Sequence, residues 1–169
     1  MTNPRVAILM GSDSDFGIMD ETCKVFDDFG VAYEVLVSSA HRTPERTIGY
    51  VEAARGKGIQ CIICGAGAAA HLAGVVAAST TLPVIGVPID ATALNGVDAL
   101  YATVMMPGGI PVATMAIGKA GAKNAALYAL AMFSTTDKAI EDKLAQYRKD
   151  MQAKVIAKSE ALQAKLANR

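Results

Sequence analysis

The sequence predicts an α/β domain on a five-stranded parallel sheet, and three observations carry that reading. Five short apolar runs recur with room for one helix between each pair, most of them closed by Gly or Ser. The runs are near-continuously apolar instead of alternating, as strands covered by helices on both faces require. With 169 residues, 52% of them apolar, the chain can bury a sizeable core as one compact domain.

The first run, Val6 to Met10, is closed by Gly11, and Phe16 to Phe29 then reads as a helix. Ile18, Met19, Val25, Phe26 and Phe29 form its inner face, and Gly30 supplies the stop. Tyr33 to Val37 is the second strand, ending at Ser38 and Ser39. A helix from Pro44 to Gly56 follows, with Thr43 as N-cap and Pro44 at its first position. Cys61 to Cys64, Pro83 to Ile89 and Val112 to Ile117 are the remaining strands, and Leu72 to Ser79, Gly96 to Thr103 and Ala120 to Phe133 the remaining helices. Met106 to Pro111 is too rich in Gly and Pro for either and reads as a shaped loop before the last strand.

From Asp137 to Arg169 the composition changes: Gly and Pro are absent, and Ile140, Leu144, Tyr147, Met151 and Val155 recur at helical spacing. Glu141, Lys143, Arg148 and Lys149 take the other face, so the apolar stripe must dock on the domain or, the favoured reading, on a neighbouring subunit. No internal repeat or linker divides the chain. Residues 1–136 are therefore read as the α/β domain and residues 137–169 as its helical extension.

Charge narrows the partners. Sixteen Lys and Arg balance sixteen Asp and Glu, which leaves no broad basic field for nucleic acid or an anionic membrane. Mean hydropathy is positive, at +0.31, yet no stretch is long and apolar enough to span a bilayer, and Met1 to Gly11 lacks the core of a signal peptide. Three cysteines argue against a disulfide framework and for a reducing compartment, so the expected location is cytoplasmic.

Ligands of open parallel sheets bind beyond the carboxyl ends of the strands. The first three exits are Gly11-Ser12-Asp13-Ser14-Asp15, Ser38-Ser39-Ala40-His41-Arg42-Thr43-Pro44 and Gly65-Ala66-Gly67-Ala68-Ala69-Ala70-His71, and they hold both histidines of the chain. Ser12 and Asp15 fit a capping box, and Asp15 could equally accept hydrogen bonds from a ribose diol. Ser39, Arg42 and the following helix N-terminus suit an anion such as phosphate, although Arg42 could also be a plain surface cation. His41 is the side chain of these loops best placed for proton transfer near neutral pH. His71 reads as a positioning donor or structural histidine.

Two motifs mislead, and the histidines suggest no metal. Gly65 to Ala70 satisfies G-x-G-x-x-A, with Asp90 downstream, but it follows the third strand and not the first; small residues there let backbone approach a ligand. Cys61 and Cys64 stand three apart on a strand and so point to opposite faces, which suits neither zinc nor a redox pair. No further ligand cluster joins the histidines, so no metal site is expected. Lys119 and Lys123, after the last strand, could be solvated or could hold an anion.

Six ordered blocks resemble the N5-carboxyaminoimidazole ribonucleotide mutase (class I PurE) family of purine biosynthesis, over about Arg5 to Arg148. They are Gly11 to Asp15, Ser39 to Pro44, Gly65 to Leu72, Gly96 to Leu100, Met106 to Val112 and Gly118 to Ala126. The resemblance implies a three-layer flavodoxin-like sandwich with strand order 2-1-3-4-5, assembled as a homo-octamer with sites near subunit contacts. It implies His41 as the general acid and base, with Ser12, Asp15, Ser39 and Arg42 on the ribonucleotide; Ser14, Gly67 and His71 complete the candidate binding set. It implies conversion of N5-carboxyaminoimidazole ribonucleotide to its 4-carboxy isomer through trapped carbon dioxide, without ATP, biotin, flavin, metal or other cofactor. Direct carboxylases of the family usually carry Lys after the first histidine and lack the second, so Arg42 and His71 favour the mutase class. A non-catalytic nucleotide-binding module and a nicotinate-nucleotide carboxylase domain are the readings from outside it. Ala68 and Ala73 depart from the family's usual Gly and Pro while staying small.

Overall fold

The computed structural model describes residues 3–167. Met1 and Thr2, and Asn168 and Arg169 at the end of the expected tail helix, lie outside them. The chain divides into two compact units that meet between Ala129 and Leu130 in sequence.

The first unit holds five strands: β1 (Val6–Met10), β2 (Tyr33–Val37), β3 (Cys61–Gly67), β4 (Val84–Ile89) and β5 (Ala113–Thr114). All pairs are parallel and the order is β2-β1-β3-β4-β5, the flavodoxin-like arrangement. The helices are α1 (Phe16–Phe29), α2 (Pro44–Ala54), α3 (Leu72–Ala78), α4 (Val97–Val104) and α5 (Lys119–Ser134). Period-2 alternation splits the core. Ala7, Leu9, Ile62, Cys64 and Val84 pack with Val51 and Ala54 of α2 and with Leu72, Ala73 and Val76 of α3. On the opposite face, a Cβ at Gly65 would come within 2.5 Å of the Met19 sulfur of α1, and Thr22 Oγ1 of α1 donates to Ala122 O of α5 at 2.8 Å. Each large apolar side chain buried this way stabilises the fold by roughly 1.5–3 kcal/mol.

The structure corrects several boundaries. β2 is a sheet edge, and Val35 and Val37 remain exposed, so this strand is not buried on both faces. β3 runs on to Gly67, because Gly65 and Gly67 keep pairing with Val87 and Ile89. β5 shrinks to two residues: Met115 N still donates to Gly86 O and Gly118 N to Pro88 O, but Ala116 and Ile117 leave the ladder. That early end makes room for Pro88 in β4, since β5 pairs only with Ile85 and Gly86. α2 stops at Ala54 and tightens into a 3-10 turn, Arg55–Lys57, ended by Gly58 at φ 94°. Thr43 stands at the N-cap of α2 without capping it; its hydroxyl accepts from Ser39 N and donates to Ser39 O, both at 3.0 Å.

The second unit contains the end of α5 and the long helix α6 (Lys138–Ala167). Asp137 opens α6, its carboxylate accepting from Ile140 N at 3.3 Å. Among the described residues no helix is long and apolar enough to cross a membrane.

Candidate functional site

Register brings the three loops together. Met10 stands opposite both Val37 and Gly65, and Ser38 N donates to Met10 O at 2.8 Å while Gly11 N donates to Gly65 O at 3.3 Å. The chains therefore leave the sheet side by side. Between them lies a cavity of about 370 Å³, lined by Ser12, Ser14 and Asp15, by Ser39, His41 and Arg42, and by Gly67 with its small neighbours. Seven of the eight residues expected at the site line this one cavity; His71 does not line it but reaches it through His41.

The first loop folds as a 3-10 turn, Asp13–Asp15, closed by the expected capping box. Ser12 Oγ accepts from Ser14 N at 3.3 Å and from Ser14 Oγ at 2.8 Å, and Asp15 Oδ2 accepts from Ser12 N at 3.1 Å. Asp15 is only 7% exposed. Burial raises its pKa above the ordinary carboxylate range; the Ser12 N–H bond opposes this, the Asp13 charge adds to it, and Arg42 opposes it again. The site thus holds an under-solvated carboxylate at the cavity wall, ready to accept donors from a ligand.

Arg42 joins two loops. Its Nη2 donates to Gly11 O at 2.8 Å and its Nε to Ser39 Oγ at 3.4 Å, while its backbone N donates to the same hydroxyl at 3.2 Å. A guanidinium has five N–H donors; these two bonds aim the group without exhausting it. His41 and His71 form the other junction: Nε2 of His41 lies 2.9 Å from Nδ1 of His71, with the rings 5.0 Å apart and nearly perpendicular. One nitrogen of the pair must carry the shared proton, so each ring constrains the tautomer of the other.

The third loop supplies space. A Cβ at Gly67 would lie 2.5 Å from Ala91 Cβ and 3.2 Å from Ile89 O, so only glycine fits there. Ala68 adopts φ 52°, a left-handed conformation that costs a non-glycine residue about 1–2 kcal/mol. Leu72 and Ala91 also line the cavity. Ala91 follows β4 between Asp90 and Thr92 and has no polar group of its own; its position after a strand was the one available signal. Asp90, the acid of the dinucleotide reading, is not among the lining residues. Cys61 and Cys64 are buried thiols, and desolvation pushes the Cys61 pKa up to about 12. Among the described residues no group of three or more His, Cys, Asp or Glu is placed to hold a metal.

A family model described as AIR carboxylase matches residues 5–154. The chain belongs to the AIR carboxylase family. It is 52% identical over 160 residues to the N5-carboxyaminoimidazole ribonucleotide mutase of Pyrococcus horikoshii, covering 95% of this chain and 89% of that protein. The corresponding mutase of Bacillus subtilis is 51% identical over 159 residues, covering 94% and 98%. Among solved structures, Treponema denticola PurE superposes with a TM-score of 0.85 at 31% identity, covering 94% of this chain and 98% of that one.

Two variants test the loop physics. Ala68→Gly relieves the left-handed strain and should raise unfolding stability by about 0.5–1 kcal/mol in urea titrations, after the extra chain entropy of glycine is subtracted. For Asp15, a folded pKa above the unfolded value means its stabilising contribution is complete below the unfolded pKa and is lost as pH rises through the folded one. Asp15→Asn stays neutral, so it should melt above the parent protein near neutral pH, with the difference vanishing once the pH falls below the ordinary carboxylate range.

Proposed function

We propose that this protein is an isomerase of purine biosynthesis that converts N5-carboxyaminoimidazole ribonucleotide to 4-carboxy-5-aminoimidazole ribonucleotide. The observation that carries the reading is the convergence of His41, Asp15, Ser12, Ser39 and Arg42 on one cavity. Each group matches one part of such a ligand. Asp15 and the Ser12 and Ser14 hydroxyls offer acceptors and donors to a ribose. Arg42, Ser39 and the N-terminus of α2 offer positive charge and N–H groups to a phosphate. His41 stands at the cavity with a proton to exchange.

In this mechanism protonated His41 gives its proton to the exocyclic nitrogen as the N–C bond of the carbamate breaks, and carbon dioxide is released into the cavity. C4 of the enamine-like ring attacks the trapped molecule. Neutral His41 then removes the C4 proton, which restores aromaticity and the starting charge state. Since Nε2 of His41 is held by His71, Nδ1 is the nitrogen left uncommitted in the resting pair. Acid and base catalysis of this kind contributes roughly a hundred- to ten-thousand-fold, and confinement of carbon dioxide against C4 raises its effective concentration. Gly67, Ala66, Ala68 and Ala69 keep that part of the wall small.

The protein is further proposed to work in the cytoplasm as a homo-octamer. In support, Val97, Tyr101, Val104 and Met105 are exposed apolar residues at i, i+4, i+7 and i+8 along and just beyond α4, a grouping on one helix face that suits a subunit contact.

With the purified full chain and the N5-carboxylated ribonucleotide, product should form without ATP or added bicarbonate. His41→Asn should lower kcat at least about a hundredfold while ligand affinity, measured by calorimetry, stays near that of the parent. Near-normal turnover in this variant would remove His41 from the mechanism. Arg42→Ala should weaken ribonucleotide binding by about 1.5–3 kcal/mol, the range of a charge-assisted hydrogen bond, and an unchanged Kd would show that Arg42 only braces the loops.

A further inference from the structure

The tail helix carries a short repeat within itself. Ile140-Glu141-Asp142-Lys143-Leu144, Met151-Gln152-Ala153-Lys154-Val155 and Leu162-Gln163-Ala164-Lys165-Leu166 are three copies of one pattern spaced eleven residues apart. Eleven residues make three turns at about 3.67 per turn, so the apolar positions form a stripe that hardly drifts around the helix. A stripe that keeps its direction over so many turns suits a partner that is itself a long helix.

Among the described residues the stripe is covered as far as Tyr147, Leu144 and Tyr147 being half-buried. Ile140 is buried, whereas Met151, Val155, Leu162 and Leu166 are 44%, 67%, 55% and 46% exposed. The third copy also lies past residue 154, where the family match ends.

The borders of the stripe identify the partner. At about 100° per residue, Lys143, Asp150, Lys154 and Lys165 flank it on one side, and Glu141, Arg148, Gln152 and Gln163 on the other. Two parallel copies set each border beside the opposite border of its mate, whereas antiparallel copies set like beside like. In the parallel arrangement Arg148 comes beside Asp150 of the second copy, and Gln152 and Gln163 beside its Lys154 and Lys165. The antiparallel arrangement would set a border of three lysines and one carboxylate, Asp150, against its own copy, and the Glu141 and Arg148 border away from it. Lys158 occupies the place in the second copy of the repeat that Tyr147 holds in the first, and a lone polar residue within such a seam selects one register.

We propose that the exposed stripe of α6 is a docking surface for the α6 of a second copy of this chain, packed parallel and in register from Met151 to Leu166. The seam spans 16 residues, about 24 Å at 1.5 Å per residue, or more than four helical turns.

Cysteine cross-linking of the full chain tests this directly, because the native Cys23, Cys61 and Cys64 are buried. Met151→Cys and Leu162→Cys, made separately, should each give a covalent dimer under mild oxidation, while Glu160→Cys on the opposite face should not. An antiparallel pair can link to itself at one position at most, so a link at only one of the two sites, at neither, or equally at Glu160→Cys overturns the proposal. Adding Leu162→Glu to the Met151→Cys chain should cut the yield at least tenfold with helix content unchanged by circular dichroism; an undiminished yield overturns it as well. Stripe-dependent partition of the parent chain onto phosphatidylglycerol vesicles, lost in Leu162→Glu, would assign the surface to lipid instead.

Discussion

The level at which β1, β2 and β3 end governs the chemistry of this protein. Because Met10 faces both Val37 and Gly65, the chains emerge at one height, and two backbone bonds extend the ladder into the loops themselves. Arg42 then reaches across to Gly11 O, and His41 across to His71. A slip of one residue in either pairing would turn every buried side chain of that strand to the wrong face. The apolar core therefore enforces the alignment that the polar loops use, and the loops do not have to hold themselves in place.

The loops are held at some expense to the fold. Asp15 keeps a carboxylate where water hardly reaches it, and Ala68 keeps a left-handed backbone without being glycine. Both lie on the cavity wall. Strain and desolvation confined to the edge of a ligand cavity are typical of surfaces shaped for binding, where the surrounding structure overrules local preference. The Ser12–Asp15 capping box shows that such roles coexist: the same carboxylate that accepts Ser12 N also faces the cavity.

Much of this was legible in the residues. β1, β2 and α1 keep their expected bounds, each ending where its apolar run meets Gly or Ser, and both histidines fall at strand exits. The differences arise where tertiary contacts outweigh local signals. Gly65 and Gly67 read as loop because glycine weakens strands, yet β3 needs them where Met19 and Ala91 crowd its backbone. β5 looked long because Val112 to Ile117 is apolar, but its neighbour offers pairing for only two residues. Thr43 has the chemistry of a cap and spends it on Ser39. Ala91 had no chemical mark at all, and only the folded sheet reveals that it borders the cavity.

The outer position of β2 bears on how copies of this chain behave when crowded. A strand at the rim of a sheet presents unpaired backbone groups that can recruit a strand from another molecule. Here the rim is five residues long and carries Glu34 at its second position, bonded to Tyr50 OH at 2.5 Å. An intruding strand would have to lie alongside that charge and gain few backbone bonds in return. The molecule can thus expose a sheet margin in solution while discouraging the indiscriminate edge-to-edge growth that leads to fibres.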